Sequence, residues 1–150
     1  MCGVVGIIST HKPVAGELYD SLIHLQHRGQ DAAGIMTYNQ RFHVKKGTGL
    51  IRDIFDEQNM ARLQGNIGIG HTRYPTVGGF SVEEAQPVMT HVPYGIAMAH
   101  NGNLVNYSEL VHEVSSQDHR HINSSVDVEV VLHIFAHALD HPNLDISELP

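Results

Sequence analysis

The chain has 150 residues, 41% of them apolar and 17% charged, with nine Lys and Arg against sixteen Asp and Glu for a formal net charge of −7. That length suits one domain with a real hydrophobic core, and fourteen glycines with six prolines are too few and too scattered for a collagen or a disordered tail. Thirteen histidines make net charge a weak guide to partners near the free-histidine pKa of ~6.5, and no basic run or aromatic box marks a nucleic-acid surface.

Cys2 to Ile8 is the longest apolar or glycine stretch, far short of the roughly 20 residues that span a bilayer. No secretory signal pattern precedes it, so the expected compartment is the cytoplasm. Val4 to Ile8, β-branched and bounded by Gly3 and by Ser9 and Thr10, reads as a buried strand. From Gly16 to His27, Leu18, Leu22 and Leu25 recur at helical spacing, with Pro13 ahead and Gly29 behind. Gly34–Tyr38 and Phe42–Lys46 flank Asn39-Gln40-Arg41 as a hairpin. Asp56–Leu63 reads as a helix, and Asn66–Thr72 and Gly95–His100 as strands interrupted by glycine. Pro75 to Pro93 reads as a long loop, of a length that is more often functional than idle. Asn106 with Glu109 has the offset of a capping box, predicting a helix from Tyr107 to about Val114. Val128, Val131, Leu132, Phe135 and Leu139 share one face of a helix starting near Asp127. Asn143 to Pro150 has no periodic pattern. Segregated strands and helices point to an α+β fold.

One cysteine can form no internal disulfide and no cysteine-rich metal site, so Cys2 is either a small hydrophobe at a strand start or a reactive group. Removal of Met1 would leave one residue with both a thiol and a free α-amine. A free thiol titrates near ~8.5 and a terminal amine near ~8, so the two can act together as nucleophile and base. A thiolate that attacks a carbonyl needs fixed donors for the oxyanion. Asn101-Gly102 supplies a side-chain amide and a backbone N–H, and equally has the chemistry of a tight turn. Arg73, at the end of a strand, has the fork to clamp a carboxylate or is a solvated surface charge. Asp127 has the charge to hold an ammonium or is a helix-dipole partner. His133 and His137 stand at i, i+4, but Ile134 occupies the place of a zincin glutamate, so no metal site is expected. No phosphate-binding loop is present either.

Met1-Cys2-Gly3 followed by VVGI, LQHRGQDAAGI (25–35), GHTRYPT (70–76), EAQP (84–87), AHNGNL (99–104) and HINSSVDVE (121–129) occur in this order. Together they resemble the class II, N-terminal nucleophile glutamine amidotransferases. Within that class RGQDAAGI and GHTRYPT are similar to the amidophosphoribosyltransferase branch, where the hexosamine-forming synthases read RGYDSAGI and GHTRWAT. The resemblance implies an αββα sandwich of two antiparallel sheets flanked by helices. It implies Cys2 as nucleophile with its α-amine as base, and Asn101 with Gly102 as oxyanion hole. Arg73 and Asp127 would clamp the α-carboxylate and α-amine of L-glutamine, Thr76 would help bind substrate, and Arg28 would support Cys2.

The sandwich is expected to be incomplete here, with Pro150 as a truncation point inside the glutaminase domain and an open sheet edge. The resemblance assigns phosphoribosyl pyrophosphate and Mg²⁺ to a second, phosphoribosyltransferase domain absent from this sequence. It implies no cofactor for the glutamine half, and a homo-oligomeric parent of the purine-synthesis pathway. The competing expectations are a glutamine-binding or assembly module without turnover, and the glutaminase part of a hexosamine-forming synthase.

Overall fold

A computed structural model describes residues 1–74, 81–117 and 121–140. The chain divides into two compact units. The first comprises Met1–Pro87 with Met98–Gly102; the second comprises Val88–Ala97 and the described residues from Asn103 onward.

The first unit is built on a four-stranded antiparallel sheet in the order β1-β4-β2-β3. Its strands are β1 (Gly3–Ile8), β2 (Ala32–Asn39), β3 (Arg41–Thr48) and β4 (Ile67–Arg73). The β2–β3 hairpin turns at Gln40, whose φ is 60°, with Asn39 opposite Arg41. Helix α1 (Ala15–Leu25) lies against β1 and β4. Its Leu18 and Leu22 are fully buried among Val14, Ala33, Ile35, Ile51, Phe55 and Leu63. Burying each such leucine stabilises the unit by about 1.5–3 kcal/mol, which is why the helical spacing read from the sequence is the face turned inward. Two short helices complete the unit: α2 (Ile51–Ile54) and α3 (Glu57–Arg62). Asp56 caps α3 by accepting from the Asn59 amide at 2.6 Å, one of the orphan donors of a helix start.

In β2 the first six residues are buried, as expected of a central strand. β1 and β3 each have one neighbour among the described residues.

The second unit pairs β5 (Val88–Thr90) with β6 (Ile96–Met98). Helix α5 (Asp127–Leu139) packs on β5, and α4 (Tyr107–Gln117) packs on α5. Val128, Val130, Leu132, Ala136 and Leu139 are the buried residues of α5's apolar face.

Four expectations are corrected. Val4–Ile8, read as a buried strand, is part of the edge strand β1, with Val4 and Ile8 exposed because only one face of an outer strand is covered. The stretch from Pro75 to Pro93 contains strand β5, which three residues between two prolines do not announce; residues 75–80 of that stretch lie outside the described residues. The strand expected over Gly95–His100 contracts to Ile96–Met98, leaving Ala99 to Gly102 outside the ladder. Helix α4 runs on to Gln117. Asn143 to Pro150 also lies outside the described residues. No helix among the described residues is long and apolar enough to cross a membrane.

Candidate active site

Cys2 immediately precedes β1, and the sheet determines where it sits. Gly3 pairs with Thr72 in the β1–β4 register, and the Gly3 amide donates to Thr72 Oγ1 at 3.1 Å. The Cys2 carbonyl accepts two further side-chain donors. Asn101 Nδ2 reaches it at 3.1 Å from 99 residues away, and Arg28 Nε reaches it at 3.0 Å. The half-buried thiol lies 3.8 Å from the Tyr74 carbonyl oxygen, a long, weak S–H contact. Met1 is 75% exposed, and its Sδ receives Arg28 Nη2 at 3.9 Å.

Arg28 ends the 3-10 turn, Gln26–Arg28, that follows α1. The next residue must be glycine, because a Cβ on Gly29 would stand 2.6 Å from the carbonyl carbon of Arg73. That close approach, with the Asp31 amide donating to Arg73 O at 3.2 Å, lays the Arg28–Asp31 segment on the end of β4.

Arg73 is buried and forms an ion pair with Glu84, Nη2 to Oε2 at 2.9 Å. The carboxylate that the sequence assigned to Arg73 was a ligand's; within the described residues the guanidinium already holds one of the protein's own. Such a pair loses hydration on both partners and persists only where geometry is good. His71, two residues earlier, is fully buried, and neither ring nitrogen makes a hydrogen bond of normal geometry. Burial pushes its pKa down to about 4. The nearby His100 backbone works the other way, and the Arg73 and His100 charges add to the lowering. His71 is therefore neutral at physiological pH.

Gly102 lies against the His100 ring, since a Cβ there would collide with His100 Nε2. The structure thus brings Cys2, Arg28 and Asn101 together by direct bonds. It sets Arg73 in the same unit, between Thr72 and Tyr74. Thr76 lies outside the described residues.

Asp127 belongs to the second unit, where it is the first residue of α5 and its Oδ2 accepts from the Leu104 amide at 3.0 Å. Glu129 organises the approach to that helix. Its Oε1 accepts from the Asn123 amide at 2.9 Å and from Asn123 Nδ2 at 3.2 Å. Its Oε2 accepts from the Ser124 amide at 2.8 Å and from the Ser124 hydroxyl. His133 Nε2 stands 3.9 Å from Oε1. Burial opposes ionisation of Glu129, yet the nearby His133 ring and the hydrogen bonds from Ser124 and Asn123 outweigh it and bring the pKa down to about 2. No group of three or more His, Cys, Asp or Glu among the described residues is placed to hold a metal ion.

Sequence reasoning did not assign roles to Glu84, Gln86 or Glu129, although EAQP and HINSSVDVE contain them. His133 stands one helical turn from Glu129, but Arg73, His100, Asn123 and Ser124 lie on other elements or loops, where no helical or strand period links them to their partners.

The geometry accords with what the chain is similar to. The family profile described as the glutamine amidotransferase domain matches residues 55–141. The chain is 52% identical to amidophosphoribosyltransferase of Pasteurella multocida (strain Pm70) over 94% of its own length. It is also 52% identical over 94% to that of Escherichia coli (strain K12), and 49% identical over 95% to that of Saccharomyces cerevisiae. It spans only 28% of the two bacterial relatives and 29% of the yeast one. Among solved structures it superposes, over 99% of its length, on glutamine phosphoribosylpyrophosphate (PRPP) amidotransferase from B. subtilis complexed with ADP and GMP. The TM-score is 0.82, with 31% identity and 31% of that chain covered. A structure described as the allosteric regulatory enzyme of purine biosynthesis gives a TM-score of 0.84 at 32% identity, with the same coverage.

Proposed function

Because the chain belongs to the glutamine amidotransferase domain family, we propose that it carries the glutaminase half-reaction of an amidophosphoribosyltransferase, hydrolysing the side-chain amide of L-glutamine to glutamate and ammonia. The observation that carries this reading is the 3.1 Å bond from Asn101 Nδ2 to the Cys2 carbonyl, which joins the nucleophile's residue to the oxyanion donor's. An amide NH2 has two hydrogens, so one bond to Cys2 leaves a second for a developing oxyanion.

Exposed Met1 is removed to free the Cys2 α-amine. That amine takes the thiol proton as Sγ attacks the amide carbon, and Asn101 Nδ2 with the Gly102 N–H stabilises the tetrahedral oxyanion. Collapse breaks the C–N bond, and the protonated amine returns its proton to the departing nitrogen. Ammonia leaves and a thioester remains. Water, deprotonated by the same amine, attacks the thioester through a second oxyanion, and glutamate departs as the thiol is regenerated. Arg73 binds the α-carboxylate of glutamine, Asp127 its α-amine, Thr76 assists, and Arg28 holds Cys2. No cofactor is needed for this half.

Protonated ammonia is no nucleophile, so the product must pass under cover to a phosphoribosyl pyrophosphate site in another domain, where Mg²⁺ would serve. We place the protein in the cytoplasm, as part of a homo-oligomer. The peptide bond between Met1 and Cys2 favours one alternative, a glutamine-binding module, wherever Met1 is retained.

Ammonia release from L-glutamine, measured on protein whose mass shows Met1 removed, tests the reading. Turnover abolished by Cys2→Ser is expected; no release from the Met1-free protein would overturn it.

A further inference from the structure

The turn that carries Asn101 and Gly102 has no strand to hold it. β6 ends at Met98, and residues 99–102 lie beyond the ladder, so the direction of the Asn101 side chain must be set by other bonds. One such bond comes from Gln86. Its Oε1 accepts from the His100 amide at 2.7 Å, one residue before Asn101, and Gln86 itself is 5% exposed.

Gln86 is fixed in turn by its own backbone. The Gln86 carbonyl oxygen packs so closely on Gly34 of β2 that a Cβ there would collide with it. Lys46 Nζ of β3 donates to the preceding carbonyl, Ala85 O, at 2.6 Å. Glu84, two residues before Gln86, is tied to Arg73. The segment 84–86 is therefore seated on the sheet at three points, and from that seat one side-chain oxygen reaches the 100–102 turn.

We infer that Gln86 is a positioning residue for the oxyanion donors: by holding the His100 amide it aims Asn101 Nδ2 and the Gly102 N–H at the oxygen of the amide that Cys2 attacks. The inference rests on the proposed glutaminase reading for its kinetic consequence and on geometry alone for its structural one. Donors aimed at an oxyanion act in the transition state more than in substrate binding, and so misaiming them lowers kcat while KM for glutamine stays nearly unchanged. Met at position 86 keeps the bulk of the side chain and removes the acceptor; Glu keeps an oxygen where Oε1 stands.

The test compares the full chain with Gln86→Met and Gln86→Glu. Turnover is normalised to sites counted by iodoacetamide alkylation of Cys2, and the Asn101 side-chain amide and His100 backbone amide are followed by NMR. Gln86→Met is expected to lower kcat per titrated site by about 10-fold or more, with KM changed by less than about 3-fold. It should also shift the Asn101 NH2 resonances and speed exchange of the His100 amide. Gln86→Glu is expected to restore most of both.

A merely structural role would reduce the number of alkylated sites and leave kcat per site unchanged, which overturns the inference. So would unchanged Asn101 resonances in Gln86→Met. If the parent protein released no ammonia, the functional reading would fail by itself, and the two NMR signals would still decide whether Gln86 aims the turn. If Gln86→Met did not fold, Gln86→Glu and the parent would decide it: a His100 amide exchanging as fast as its unprotected neighbours in the parent overturns the inference.

Discussion

The two units hold their candidate residues by different means. Cys2 is fixed by many small contributions: a strand register that pairs Gly3 with Thr72, a hydroxyl on the Gly3 amide, and two side-chain donors on its own carbonyl. Asp127 stands at the head of a helix whose approach, Asn123 and Ser124, directs four hydrogen bonds to the one carboxylate of Glu129. A residue held by several independent bonds keeps its place when one is lost, and the damage appears in chemistry. A segment whose bonds converge on one group is loosened when that group is removed.

Four expected outcomes sharpen or break this contrast. The largest is Asn101→Ala, which should lower turnover a hundredfold or more, equivalent to about 2.7–4 kcal/mol of transition-state stabilisation. Its unfolding free energy in urea should change by less than about 1 kcal/mol. Comparable losses in both would mean that the first unit depends on this residue as the second depends on Glu129.

Next comes pH. His71 has a native pKa of about 4 against 6.5 unfolded, so between these values the unfolded chain binds more protons and stability falls as pH is lowered. The full difference is about 3 kcal/mol. Urea titrations from pH 7 to pH 4 should show this slope, and His71→Leu should remove it. Glu129 acts lower. Its stabilisation is complete above its unfolded value of 4.5 and is lost as pH falls towards about 2, so the helical unit should outlast the sheet's first loss.

Glu129→Ala should cost about 2 kcal/mol by leaving the donors of Asn123 and Ser124 without their acceptor, read as a lower urea midpoint. Amide exchange should rise first at residues 123 and 124. Smallest of all, Lys12→Ala, which removes an exposed ion pair with Glu17, should change stability by less than about 1 kcal/mol.

Much of the scaffold was legible because its signals are periodic. Leu18 and Leu22 mark α1, the Gly34–Tyr38 and Phe42–Lys46 runs mark the hairpin, and Val128, Leu132 and Leu139 mark α5, although Val131 and Phe135, read on the same face, are not buried. The meeting of Cys2 with Asn101 was legible for another reason: a nucleophile at position 2 needs oxyanion donors, which Asn101-Gly102 can supply, and the family resemblance pairs them. Strand β5 was hidden, since three residues are too few to display alternation and its flanking prolines read as loop. The Arg73–Glu84 pair was hidden too. An arginine and a glutamate eleven positions apart share no face of a regular element, and only the return of the chain after β4 joins them. Glu129 is buried on a helix whose other buried residues are apolar, so its polar task is set by the loop before the helix.

The two donors on the Cys2 carbonyl have a practical consequence. Both grip the peptide on the downstream side of the residue, so whatever precedes Cys2 can be exchanged without loosening the anchor. A purification tag fused ahead of Met1 should therefore yield well-behaved, fully folded material with an unaltered melting curve and no glutaminase turnover, and cleavage that leaves cysteine foremost should switch it on.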